Sequence, residues 1–208
     1  TMYVTLEPCS HYGLTPPYTN IIKNKKLKKV YYCYNDPDLR TNKKAKNKLI
    51  EYNIKIQKTN FKRKGFYKSY FLNKTEKLPY VDAKIAISKD YYTINKKSKW
   101  ITNSRSRKVA HFLRSNYDSI ISTSKSINED NSLLNCRING LNSNKPDLII
   151  IDRNLSIKKN LNFLNLANKR KTYLITTSKN INKISFLKKK NIKIIKINKL
   201  ESKKDFIF

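Results

Sequence analysis

Residues 1–34 read TMYVTLEPCSHYGLTPPYTNIIKNKKLKKVYYCY, and this stretch decides the fold class. Residues 3–6 are an apolar strand. Pro16 and Pro17 then open a helix over residues 18–26, since proline's fixed φ suits a first turn and its missing N–H is not needed there. Residues 30–34 make a second strand. Strand, helix and strand at this spacing form a layered α/β unit. Further along, residues 42–52 read as a helix, 54–57 as a third strand, and 61–72 as a helix with Phe66, Tyr70 and Phe71 among its apolar positions. The opening residues look like a strand already in progress, with Met2 not at the terminus, as in a chain cut inside a domain.

Residues 73–79 are polar and end in Pro79, so a domain boundary is placed there, with residues 1–74 on one side and 78–208 on the other. Beyond it, residues 80–87 read as a strand and 104–116 as an amphipathic helix carrying Val109, Phe112 and Leu113. Strands are expected at 119–122, 148–151, 174–176 and 192–197, with a helix over 184–190. The branched apolar run of residues 148–151 is that of a buried strand. The second region is therefore also α/β. Only three glycines occur, and none builds a phosphate loop.

Lysine and arginine number 46 against 14 acidic residues, a formal charge of +32. Such an excess suits a polyanionic partner. Here, however, the lysines run through every segment with asparagine, isoleucine and tyrosine, which describes compositional drift and a solvated basic surface, not a nucleic-acid-binding face. A positive field also suits a phosphorylated small molecule. Cys9, Cys33 and Cys136 have no regular spacing and make no disulfide framework, so a reducing, cytoplasmic compartment is expected. No apolar stretch approaches 18 residues and no signal-peptide pattern is present, so neither membrane insertion nor secretion is expected. A homo-oligomer is compatible with the sequence.

The densest chemical signal is the string from Thr5 to Tyr18, TLEPCSHYGLTPPY. A Pro-Cys pair at a strand-to-helix junction puts a thiol at the positive end of a helix, where its pKa falls and the thiolate can bind metal. A lone cysteine is more often structural. The whole string resembles the zinc-binding segment of the bifunctional deaminase-reductase family of riboflavin biosynthesis, whose pyrimidine deaminase half is cytidine-deaminase-like. The resemblance implies that Cys9 stands where the first cysteine ligand does. Tyr18 stands where the second cysteine is found, and the His-Ala-Glu motif, with its proton-shuttling glutamate, would precede residue 1. One ligand of three does not hold zinc, so no stable zinc site is expected. Glu7 is expected to support a helix start, and Cys33 to be a core residue. His11 matches a position near the substrate or is a turn residue, and Leu14 stands where a basic residue is common. Asn35-Asp36-Pro37 also has a family counterpart, and is read as a turn whose aspartate caps backbone amides.

A second block is longer. AKIAISKD at residues 83–90, SKWIT at 98–102, Arg114, SINED at 126–130 and residues 133–137 occur in order and near family spacing. This block looks like the N-terminal part of the family's reductase domain, which has a dihydrofolate-reductase-like fold and uses NADPH to reduce a phosphoribosylamino-pyrimidine to its ribitylamino form. The resemblance assigns Ala86, Trp100, Ser126 and Asp130 to NADPH, and Ser98, Arg114, Leu133 and Arg137 to the substrate. Two arginines suit a ribose phosphate because guanidinium offers a planar fork of donors. His111, on the helix of Arg114, is expected only to be partly exposed. The family's Leu-Asp-Gly turn is Lys89-Asp90-Tyr91 here, so the glycine conformation is expected to be lost. Arg153 replaces a small hydroxyl residue, and the family's Glu-x-Gly segment would follow Phe208.

The sequence thus implies a partial cytidine-deaminase-like domain followed by a partial dihydrofolate-reductase-like domain. It implies NADPH-dependent reduction of a phosphorylated pyrimidine, with an impaired zinc-dependent deaminase half. Two alternatives stay open: a degenerate reductase-fold paralogue without deaminase activity, motivated by Tyr18, and a basic nucleic-acid-binding protein, motivated by charge.

Overall fold

Alternation of tyrosine and branched apolar residues makes parallel strands at the start of the chain. In the computed structural model, which describes residues 1–60, 65–93, 100–142 and 145–199, β1 (Met2–Leu6), β2 (Lys29–Tyr34) and β3 (Lys55–Lys58) form a parallel sheet in the order β1-β2-β3. The register sets Met2 beside Val30 and Val30 beside Ile56. Because side chains alternate across a strand, that register turns one apolar set to one face. Parallel neighbours need crossovers, and α1 (Tyr18–Asn24) and α2 (Ala45–Glu51) supply them. Ile22, Val30, Leu49 and Ile54 are buried in the resulting core, with Met2, Val4, Leu27, Tyr52 and Ile56 packed around them. Tyr3 and Tyr31 stack with ring centres 5.0 Å apart.

The helix expected over residues 61–72 is α3 (Lys68–Glu76), and residues 61–64 lie outside the described part. Residues 73–76 belong to the helix, not to a linker. Polar side chains are tolerated on its exposed side, and it stops where Lys77 turns left-handed (φ 61°) just before Pro79. Two compact units result, Thr1–Ala83 and Lys84–Phe208.

The strand expected over residues 80–87 does not form. That segment has no ladder partner among the described residues, and Val81, Ile85 and Ile87 are exposed. Apolar composition favours extension, but a strand also needs the hydrogen bonds of a neighbour. A second correction concerns Tyr91, which takes the left-handed conformation that glycine would have supplied (φ 65°). The turn is closed by Ser88 N–H donating to Tyr92 O at 2.8 Å and Tyr92 N–H donating to Ser88 Oγ at 2.9 Å.

In the second unit β4 (Ser119–Thr123), β5 (Asp147–Ile151), β6 (Thr172–Thr176) and β7 (Ile192–Lys196) are parallel and in sequential order. Leu148, Ile150 and Leu174 are fully buried, as the branched run demanded. They pack with Ile127, Leu155, Phe163, Leu164, Ile184 and Leu187. Ile127 comes from α5 (Ser124–Asp130), Phe163 and Leu164 from a 3-10 turn (Asn162–Leu166), and Ile184 and Leu187 from α6 (Ile181–Lys189). Before them, α4 (Ser104–Ser115) starts at Asn103, whose side chain accepts from Ser106 N–H, and leaves Val109 and Phe112 exposed. The architecture is α/β in both units. No helix among the described residues is long and apolar enough to cross a membrane.

Candidate functional site

In the first unit the Pro-Cys motif has a structural use. Cys9 Sγ accepts from the N–H of Tyr18 at 3.3 Å, and Cys9 O accepts from Thr19 N–H at 3.1 Å, so the sulfur tops the first turn of α1. Tyr18 is half exposed. Among the described residues no three His, Cys, Asp or Glu side chains converge as metal ligands. A tetrahedral zinc needs three protein donors besides water, and a cysteine facing a tyrosine position does not provide them. Glu7 is buried and accepts from Lys43 N–H at 2.9 Å and Ala45 N–H at 3.2 Å, which caps α2. The helix it supports is therefore remote in sequence. His11 Nδ1 meets Thr41 Oγ1 at 3.2 Å. Asp36 caps its own turn through Asp38 N–H and accepts from the Tyr70 hydroxyl at 2.9 Å.

In the second unit, polar groups collect where the parallel strands end, the edge at which open α/β sheets hold ligands. After β4, Thr123 caps α5 by accepting from Ser126 N–H, and its hydroxyl lies 3.2 Å from the exposed Ser126 Oγ. After β5, the buried Asp152 carboxylate accepts from Ser156 N–H and Oγ–H and from Ile157 N–H, all within 2.9 Å. Ser156 in turn meets Ser124 Oγ, and its carbonyl accepts from Asn128 Nδ2. After β6, the Thr176 and Thr177 hydroxyls donate to Arg153 O. This edge is thus a row of hydroxyl-bearing turns whose Ser156, Thr176 and Thr177 hydroxyls are spent on the protein's own acceptors. The exposed Ser126 hydroxyl, paired only with Thr123 among the described residues, is the group here that could meet a sugar or phosphate oxygen of a nucleotide such as NADPH. Asp130 is exposed at the far end of α5. Ala86 is half-buried on the unpaired segment, and Trp100 is half exposed with the Arg107 guanidinium 4.5 Å over its ring. Ser98 lies outside the described residues.

The substrate set centres on α4 and the loop that follows α5. Asn135 O accepts from Arg114 at 3.2 Å and meets His111 Nδ1 at 3.1 Å, while Arg137 donates to His111 Nε2 at 3.2 Å. A carbonyl only accepts, so Nδ1 carries the proton and Nε2 offers its lone pair. Arg114 and Arg137, far apart in sequence, are thereby brought to one imidazole. Burial and then Arg137 lower the Arg114 pKa. Burial, Arg114 and Arg137, in that order, lower that of His111. No carboxylate pairs with these groups among the described residues. Leu133 is half-buried. The buried Arg170 donates to the carbonyls of Leu133, Leu134 and Pro146, and so staples the loop.

Sequence reasoning missed His111 as a partner of both arginines and Arg170 as the staple. The spacing of His111 and Arg114, three residues apart on a helix, was the available signal for the first. Arg170 had none, since nothing marks one buried arginine in so basic a chain.

Residues 79–204 match the family model described as the RibD C-terminal domain. The riboflavin biosynthesis protein RibD of Aquifex aeolicus (strain VF5) is 31% identical over 199 residues, covering 94% of this chain and 55% of that protein. Its namesake from Bacillus amyloliquefaciens is 32% identical over 167 residues, 78% of this chain and 45% of that protein. The chain thus spans about half the length of these curated relatives. Among solved structures, an Acinetobacter baumannii RibD aligns with a TM-score of 0.75 and 23% identity, covering 95% of this chain and 56% of that one. A Thermotoga maritima structure named diaminohydroxyphosphoribosylaminopyrimidine deaminase/5-amino-6-(5-phosphoribosylamino)uracil reductase aligns with a TM-score of 0.73 and 23% identity, covering 92% of this chain and 60% of that one. The shared fold and the span of the family match lead to one conclusion: this chain belongs to the RibD C-terminal domain family.

Proposed function

We propose that the chain serves riboflavin biosynthesis through its second unit, which reduces 5-amino-6-(5-phosphoribosylamino)uracil to the ribitylamino product at the expense of NADPH. The observation that carries this is that Arg114, 3.5 Å from His111 Nδ1 and bonded to Asn135 O, and Arg137, bonded to His111 Nε2, flank one imidazole with no carboxylate partner among the described residues, a place suited to a sugar phosphate. When bound, NADPH supplies the hydride. The chain's own residues do the holding. Ser126 offers a hydroxyl at the end of β4, and Trp100 an aromatic face; Asp130 and the backbone at Ala86 complete the cofactor set. Arg114 and Arg137 take the substrate phosphate, and Ser98 and Leu133 are assigned to the same substrate by the family resemblance, so that orientation lowers the barrier without a covalent intermediate.

Residues 1–74 correspond to the deaminase half, and residues 78–208 to the reductase half. No step is routed through zinc, because Cys9 and Tyr18 do not make a ligand set. The partner is a phosphorylated pyrimidine and not a nucleic acid or a membrane, and the setting is the reducing cytoplasm, where three free thiols persist. Titration of the 208-residue chain with NADPH, followed by Trp100 fluorescence, tests the cofactor assignment. Saturable quenching is expected, weakened about fivefold in Ser126→Ala by loss of one hydrogen bond of about 1 kcal/mol. Absence of saturable binding would sink it.

A further inference from the structure

We infer that His111 makes the oxyanion site proton-linked: a phosphate bound between Arg114 and Arg137 draws a proton onto His111, so that the anion binds more tightly as pH falls. This deepens the phosphate reading above and rests on it. The imidazole stands between two guanidinium groups, Arg114 from its own helix and Arg137 from the loop, with Nε2 as acceptor toward Arg137 and Nδ1–H directed at Asn135 O. The remaining ionisable groups close to the cluster are Cys136, which favours charge on Arg114, and Arg170, which shares the loop.

With no anion present, a proton on Nε2 would turn an acceptor into a donor facing a donor, 3.2 Å from Arg137, and would place a third positive charge among cations. Burial and the two arginines accordingly lower the His111 pKa and favour the neutral ring, against the opposing pull of the Asn135 carbonyl. A dianion reverses both conditions. It takes over the Arg137 fork, and its charge offsets that of the guanidinium groups, so that Nε2–H becomes a useful donor to an anionic oxygen. The sign follows. The anion raises the His111 pKa, so the added affinity is full below the free-state pKa and disappears as pH rises through the bound-state value.

Sulfate is the probe, because its charge does not change between pH 5.5 and 8 as that of phosphate does. Its binding to the intact chain is measured calorimetrically across that range, in the wild type and in His111→Gln, whose amide oxygen can replace Nε2 as acceptor but does not titrate. The imidazole of His111 is followed by NMR, with a His11→Asn variant to assign the two histidines. Sulfate affinity should rise about tenfold from pH 8 to pH 5.5 in the wild type and stay within about twofold in His111→Gln. Saturating sulfate should raise the His111 pKa by about one unit, the value linked to a tenfold change. Binding that is equally pH-independent in both proteins, or an unmoved His111 pKa, overturns the linkage and leaves the phosphate site standing. No sulfate binding at any pH overturns the phosphate site itself, and the NADPH titration then judges the cofactor half separately.

Discussion

Replacing Arg170 by methionine should loosen the loop that presents Leu133 and Arg137. Arg170 enters β6 with only 5% of its surface exposed. Its NH1 group donates to Leu134 O at 3.3 Å and Pro146 O at 3.2 Å, and NH2 to Leu133 O. Desolvation, then Arg114, bring its pKa down to about 10, so the charge is held at some cost and at neutral pH remains. Methionine matches the stem but leaves three carbonyls without their donor. At about 1 kcal/mol net for each bond, the loss is about 3 kcal/mol. Trp100 is the sole tryptophan and lies in the same unit, so urea unfolding followed by its fluorescence reports on this half of the chain. With a slope of about 2 kcal/mol per molar urea, the midpoint should fall by about 1.5 M. Arg170→Lys should lie between, since one ammonium cannot reach three carbonyls in a planar fork. Sulfate affinity should fall in both variants, because Arg137 follows the staple by only a few residues of loop. A methionine variant within about 0.5 kcal/mol of wild type and with undiminished sulfate affinity would refute the staple.

Tyr91→Gly should stabilise the second unit by about 1 kcal/mol, since a left-handed tyrosine costs about 1–2 kcal/mol and glycine returns part of that as lost chain entropy; a lower urea midpoint would contradict it. Glu7→Ala should destabilise the first unit by about 2 kcal/mol, because the amides of Lys43 and Ala45 lose their acceptor at the start of α2. Far-UV circular dichroism during thermal unfolding measures it, and an unchanged midpoint would count against the cap.

What was legible in the sequence is what local periodicity controls. The run at residues 148–151 lies in β5, with Leu148 and Ile150 fully buried, and the strands of both sheets fall where alternation and spacing put them, although α5 and the 3-10 turn carried no such signal. The failures occur where a tertiary partner decides. Residues 80–87 have strand composition but no ladder neighbour among the described residues, α3 runs four residues into a stretch whose polarity suggested a linker, and Tyr91 adopts a backbone conformation that its side chain disfavours. The turn at Tyr91 is closed by bonds from Ser88, and these are absent from any reading of the Lys89-Asp90-Tyr91 triplet by itself.

The site divides in the same way. Arg114 and Arg137 could be named from a resemblance, but what brings them together is the imidazole of His111, signalled only by its spacing from Arg114, and the carbonyl of Asn135, which no sequence feature marks. Asn135 is buried, and its carbonyl serves a helix residue on one side, while Arg170 grips the residues just before it on the other. The same loop begins at Asn131, whose side chain accepts from Asn162 N–H and whose left-handed turn ends α5, the helix that carries Ser126. Seven residues therefore lead from Ser126, proposed for NADPH, to Leu133, proposed for the substrate, with Thr123 capping the helix at one end and Arg170 holding the Leu133 carbonyl at the other. Under the proposed function, a connection of this length would set the separation of cofactor and substrate without any side chain having to touch both. The proposed site would then be assembled largely from backbone anchors and capped turns, in a chain whose surface charge is otherwise unremarkable in its placement.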